Sequence, residues 1–256
     1  MGNFPNAKSI AAALFAFVTL PALAAETWTG EAYLLDGGAP AYRETHYLLG
    51  DERLVVYACP DGKPFARKTI HEGSDAQAPD FDMRDARTGY REGVRGKGAS
   101  REIFVQRAPD QAEKSAPLDL PADGVVDAGF DTYVHKHWNA LARGDTLRFK
   151  FLVPSKRTFY AFDLARVDSA SNAAQLTVRL SLGAWYSFLA PSIDVTYDRA
   201  TQRLLRFAGM SNIRDENLKN LSVRIEFAQA PVAATPEQVD AARSAPLTRS
   251  CAGSGK

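Results

Sequence analysis

Cysteine is scarce in this chain. Only Cys59 and Cys251 occur in 256 residues, too few for a disulfide-dense scaffold, and no Cys-x-x-Cys pair marks a zinc ribbon or a redox site. Histidine is scarce as well: His46, His71, His135 and His137. The last two stand two apart, and on a helix they would project about 200° from one another. One helix therefore cannot offer both to a single ion, and no metal site is expected. Asp80, Asp82 and Asp85 form the only local carboxylate cluster. It lacks the later glycine and bidentate glutamate of a calcium loop and reads as a solvated hairpin. Charge of one sign is missing too: 31 basic against 30 acidic side chains leave a formal net charge of +1. No overall field steers nucleic acid or an anionic membrane, so either partner would need a local patch. Phosphate loop, dinucleotide fingerprint and His-Glu-x-x-His are all absent, and Gly209-Met210-Ser211-Asn212-Ile213 lacks the second glycine of a nucleophile elbow. No cofactor and no catalytic residue is read from the chain, and a binding or structural role fits better than an enzyme. A triad assembled from distant strands would leave no local trace.

Long apolar runs are confined to the start. Lys8 precedes an apolar stretch from Ile10 to Leu20, followed by Pro21 and Ala22-Leu23-Ala24-Ala25. This is the layout of a secretory signal peptide over residues 1–24, with a core about half the roughly 20 residues of a spanning helix. No other stretch would cross a membrane as a helix. Removal of Lys8 takes the formal charge from +1 to 0. The expected location is the periplasm, or outside the cell by secretion, where disulfides persist. Cys59 and Cys251 allow one intramolecular bond, tying a polar tail to the body; two unpaired thiols are the competing reading. Spacing does not decide between them, because pairing needs Cα atoms within about 7 Å.

What is present is a succession of short aromatic and β-branched segments between turn residues, at 45% hydrophobic content. Residues 31–35, 42–49 and 53–57 are separated by Asp36-Gly37-Gly38 and Gly50-Asp51, and Cys59-Pro60-Asp61-Gly62 makes the next turn. A polar stretch follows, then further strands at 81–84, 88–94 and 101–107. Pro109, Pro117 and Pro121 mark residues 108–126 as a connector inside a single β-rich domain spanning 25–230. Phe130, Tyr133, Val134, His137, Trp138 and Leu141 fall at helical spacing, which predicts one amphipathic helix over 127–143, with Asp127 as cap and Gly144 at its end. Beyond it, Leu147, Phe149, Phe151 and Val153 alternate with Arg148 and Lys150. The same alternation recurs at 160–164, 176–182, 193–197, 203–207 and 221–227, as in an antiparallel sheet with one solvated face. Residues 183–191 read equally as a loop or a single helical turn. Residues 236–243 offer a short helix in a tail, 231–256, expected to be mostly disordered. The fold expected is mainly β, or β-dominated α+β: an antiparallel sheet curled into an open or half barrel with one helix packed on it.

Two local excesses point to function. The first is aromatic: Tyr133, Trp138, Trp185, Tyr186 and Phe188 would line an apolar cavity between helix and sheet, with Arg148 and Lys150 near a polar head group; the same aromatics serve equally as ordinary core. The second is the glycine-rich stretch 89–101, whose Arg91, Arg95, Lys97 and Arg101 would meet phosphate, sulfate or glycan anions, or simply keep a flexible turn solvated. The run Ile193-Asp194-Val195-Thr196-Tyr197-Asp198-Arg199, continuing to Asp215, and Val223-Arg224-Ile225-Glu226-Phe227 resemble the closing hairpins of uncharacterised exported β-rich proteins of Gram-negative bacteria. Those are families of unknown function, distantly similar in outline to half-barrel lipoprotein carriers. The resemblance implies a periplasmic half barrel and transfers no catalytic residue. The expected function is binding or carrying a hydrophobic or amphipathic, lipid-like ligand. The alternative is a non-enzymatic envelope structural or assembly factor for a protein or polyanionic glycan partner; nucleic acid is not expected.

Overall fold

The computed structural model describes residue 2 and residues 25–71, 73, 75–183 and 192–251; the expected signal segment lies outside them. The chain first builds an up-and-down meander of β1 (Ala25–Leu34), β2 (Pro40–Leu49), β3 (Glu52–Ala58), β4 (Pro64–His71), β5 (Asp80–Asp85), β6 (Tyr90–Arg95), β7 (Glu102–Gln106) and β8 (Lys114–Pro117). After β9 (Gly124–Val125) come two helical segments, α1 (Gly129–Lys136) and α2 (Trp138–Arg143). A second meander follows: β10 (Leu147–Val153), β11 (Thr158–Arg166), β12 (Gln175–Leu182), β13 (Ile193–Asp198), β14 (Leu204–Arg214) and β15 (Asn220–Glu226). The chain ends in β16 (Val232–Ala234) and α3 (Pro236–Ser244).

The meanders fuse where β1 pairs antiparallel with β15, giving one sheet that runs from β8 to β9, with β16 added beside β1. Among the described residues, β9 with β10 is the one parallel ladder. The sheet is not closed, since β8 and β9 end it without pairing each other. It curls until its ends meet through loops: Val126 N–H donates to Gln77 O at 3.1 Å, Gln77 Nε2 donates to Gly124 O at 3.0 Å, and the 154–156 turn packs against β6 and β7. Hairpin geometry follows local chemistry. Gly50 takes φ +63° in the two-residue turn joining β2 to β3, a conformation in which a Cβ is strained.

The helical stripe is where expected, but in two pieces. The His137 N–H is shared between the carbonyls of Tyr133 and Val134 at 3.1 and 3.2 Å. That tightened turn, at φ −105° and ψ 14°, separates α1 from α2 while Tyr133, Val134, Trp138 and Leu141 stay on one buried face. The stripe seals Phe149, Leu164, Val178, Leu180 and Tyr197 of the second meander. Asp127 is not the helix cap. Its backbone has φ +45°, and its carboxylate turns away to Lys68 Nζ at 2.8 and 3.1 Å.

Two further differences have clear causes. β4 lies in the stretch read as polar, because one inward position of its alternation is the cation Lys68. The tail expected to be mostly disordered is ordered through Cys251. Ala25, Glu26 and Thr27 pair with Ala234, Ala233 and Val232, and α3 opens with a reciprocal Thr235–Gln238 capping box. α3 buries Val239 against Leu54 and Val56, and Cys59 bonds to Cys251 with Cα atoms 5.4 Å apart. A single buried valine, a three-residue ladder and a covalent bond hold a segment whose composition alone would leave it loose.

Candidate functional site

The structure redistributes the residues expected to bind a ligand. Tyr133 and Trp138 are 7% and 9% exposed. The Tyr133 ring lies 4.6 Å from Phe149 and Trp138 meets Tyr197 edge-on at 5.9 Å, so both are core. Arg148 and Lys150 occupy the face opposite the helix, because they alternate with Phe149 and Phe151 along β10. Arg148 Nε donates to Asp163 at 2.7 Å and Lys150 Nζ lies 3.6 Å from Asp123, so neither reaches a space between helix and sheet. Their pairs belong to an outer-face series of cross-strand contacts that continues in Arg179 with Asp194, Arg206 with Glu226 and Arg43 with Glu31. Trp185, Tyr186 and Phe188 lie outside the described residues.

The inner face nevertheless opens at one end. Phe130, Phe149, Phe151 and Phe162 form a chain of rings with successive centroids 6.1 to 6.4 Å apart. Phe149 is fully sealed, Phe151 and Phe162 are half-buried, and Tyr160, directly across from Phe151, is 40% exposed. Leu182 stands opposite Phe162 and is half-buried too. Cross-strand neighbours share a face, so the aromatic layer beneath α1 runs outward into solvent where β10 turns into β11.

The stretch 89–101 is not a mobile cationic hairpin. It forms β6, a turn and the approach to β7, and its arginines are neutralised. Arg91 Nη2 lies 2.8 Å from Asp82, Arg95 contacts Glu102 and Glu113 at 2.8 and 2.5 Å, and Arg101 holds Asp80 at 2.7 Å. Arg95 also lies over the Phe104 ring at 4.4 Å. The Lys97 side chain is exposed and has no hydrogen-bond or ion-pair partner among the described residues.

Sequence reasoning missed a polar interior in the first meander. Tyr90 donates to Glu92 at 2.5 Å, Arg214 donates to Tyr90 at 3.2 Å, and Arg214 lies 3.9 Å from Glu92. Arg87 holds Asp85 at 2.6 and 3.0 Å and donates to the Arg214 carbonyl at 3.0 Å. Arg214 reaches this far because β14 bulges: Met210 pairs with Ser222 and Arg214 with Asn220, four steps along β14 against two along β15. Burial pushes the Glu92 carboxyl above its ordinary value, with the Tyr90 hydrogen bond and Arg214 opposing the shift. Burial likewise raises Tyr90, Tyr42 and Tyr57, which stay as neutral phenols. The signal in sequence is weak: Tyr90, Glu92 and Val94 alternate normally, and only the unexpected carboxylate in that row hints at a partner elsewhere.

Among the described residues no group of three or more His, Cys, Asp or Glu stands close enough to hold a metal ion, and no helix is long and apolar enough to cross a membrane. No family model matches the chain, and no curated protein matches it. Among solved structures it is similar to the crystal structure of a beta-barrel-like protein of domain of unknown function DUF1849 from Brucella abortus. The two share 9% identity at a TM-score of 0.46, over 84% of this chain and 97% of that one.

Proposed function

We propose that this is an exported envelope protein that holds the apolar part of an amphipathic, lipid-like molecule at the open aromatic end of its sheet. The observation that carries the reading is the graded exposure along one inner face, from sealed Phe149 through Phe151 and Phe162 to Tyr160 at 40%. A face built only as core would end buried, and an aromatic row left open beside a helix is a surface on which an acyl chain gains contact without displacing core. Export is supported by the layout of residues 1–24 and by the Cys59–Cys251 bond, which persists in oxidising compartments. The site differs from the one expected from sequence, since Tyr133 and Trp138 are core and Arg148 and Lys150 face away.

Native mass spectrometry and lipid extraction of the protein purified from its own periplasm are expected to show a bound amphiphile. Phe151→Ala with Phe162→Ala should weaken binding of a fluorescent apolar probe about tenfold, the equivalent of about 1.4 kcal/mol of lost apolar burial. An empty protein with no probe binding would overturn the reading. The alternative, an assembly factor with a protein partner, draws support from β8, an edge strand whose Lys114, Ser115 and Pro117 are exposed and which pairs only with β7. A negative extraction together with a co-purifying partner lost on replacing residues 114–117 would favour it.

A further inference from the structure

The opposite end of the sheet carries a second feature, independent of the aromatic end. Where β4 leads into β5 and β6 into β7, a depression of about 380 Å³ is lined by His71, Asp75, Ala78, Asp80, Lys97 and Arg101, with glycine backbone at its rim. Its volume falls in the range of small-molecule sites, about 300–1,000 Å³. Arg101 is fixed there. Its Nε and Nη2 contact Asp80 at 2.8 and 2.7 Å, and Nη2 also donates to the Ala78 carbonyl at 2.6 Å. Nη1 is left without an acceptor among the described residues.

Among the described residues the lining is balanced in charge, Lys97 and Arg101 against Asp75 and Asp80, so its unpartnered donors set the preference. Arg101 pairs with Asp80, and Asp75 Oδ1 accepts from the backbone N–H groups of Gln77 and Ala78 at 3.2 and 3.1 Å. The His71 side chain faces Glu52 at 3.6 Å. Lys97 is the lining cation with no carboxylate partner among the described residues, between Gly96 at φ +121° and Gly98 at φ +53°. A Cβ on Gly96 would come within 2.5 Å of the Ser100 carbonyl, so glycine is required for the turn that sets Lys97 over the depression. A rigid guanidinium edge and a mobile ammonium on the same wall match an oxyanion, which accepts charge-assisted hydrogen bonds from both. Of the remaining lining, Asp75 Oδ2 has no partner among the described residues and can accept from a hydroxyl.

We propose that this depression binds a small oxyanion carried on a hydroxylated body, with Lys97 and the free Nη1 edge of Arg101 on the anionic group. The same chemistry occurs in a sugar acid and in a glycerol phosphate head group, and the test separates them. Ligand-observed NMR and calorimetry on the full exported chain would use glucuronate, glycerol 3-phosphate, glucose and inorganic phosphate as probes. Saturable binding of glucuronate, of glycerol 3-phosphate or of both is expected, at least tenfold tighter than glucose or inorganic phosphate, and the stronger of the two names the source. Lys97→Glu should abolish it, Lys97→Arg should retain it, and Lys156→Glu at the far end should leave it unchanged. The proposal is overturned by absence of saturable binding of both organic anions, by equal binding of inorganic phosphate or glucose, or by binding that survives Lys97→Glu.

Discussion

The two meanders solve the same packing problem with opposite chemistry. In β10 to β13, beneath the helices, the inner face is apolar and the charges stand outside, as in Arg148 with Asp163 and Arg179 with Asp194. In the first meander, Lys68, Asp85, Tyr90 and Glu92 lie inside and must be satisfied there. The difference tracks the helices. α1 and α2 supply a second apolar layer over the second meander, so its strands bury hydrocarbon against hydrocarbon. The first meander meets the bulge of β14 instead, and its charged side chains join the bulge across the interior. Arg214 reaches Tyr90 and Glu92 this way, and Lys68 reaches the strained Asp127 just before the helix. Apolar layers tolerate small shifts, whereas a buried charge tolerates none unless its partner moves with it.

Four measurements would break or sharpen that contrast. The largest effect belongs to the apolar region: Phe149, fully buried among Phe130, Tyr133 and Phe151, should cost about 3–5 kcal/mol as Phe149→Ala in denaturant unfolding. A loss under about 1 kcal/mol would mean that the layer beneath the helix is not a packed core.

Next comes the polar region. Arg214→Met strands the buried Glu92 and should cost about 3 kcal/mol near neutral pH, with most of it restored by adding Glu92→Gln. The pH dependence has a definite sign. The Glu92 carboxyl is held above its ordinary value of 4.5 by burial. Its contribution is therefore most favourable below the unfolded pKa, where it is protonated in both states, and declines as pH rises through the folded pKa. Glu92→Gln should remove that decline, flattening the stability profile above about pH 4.5. An unchanged profile would show that Arg214 and Tyr90 fully compensate the burial.

The smallest effect is expected on the outer face. Arg148→Ala removes an exposed pair with Asp163, and its thermal midpoint should be indistinguishable from the parent. A clear drop there would make the outer ion pairs part of the framework and blur the distinction between the regions.

Much of the second meander was legible because each strand follows one rule. Leu176, Val178, Leu180 and Leu182 go in, Thr177, Arg179 and Ser181 alternate with them, and the helix stripe has the matching period. The first meander was legible in β1, β2, β3, β5, β6 and β7, where the strands expected at 31–35, 42–49, 53–57, 81–84, 88–94 and 101–107 fall. β4 was hidden by Lys68 inside, and β8, β9 and β16 were too short for any period to show. The candidate sites were less legible still. Arg91, Arg95, Lys97 and Arg101 were read together as one cationic stretch, but the carboxylates that neutralise Arg91, Arg95 and Arg101 come from other parts of the chain. Phe151, Phe162 and Tyr160 read as plain strand residues, since exposure of an alternating aromatic depends on what ends above it.

The sequence by itself determined the local elements: alternation set the strands, helical spacing set the stripe from Phe130 to Leu141, and glycine set the tight turns, because each depends on a few neighbouring residues. Tertiary structure alone decided which charges are buried, that Cys59 and Cys251 meet, that the tail is docked, and where the apolar face stays open. Those outcomes depend on Coulombic and steric contacts between residues far apart in the chain, as with Arg87 and Arg214, and no local pattern encodes the fold's curl that brings them together.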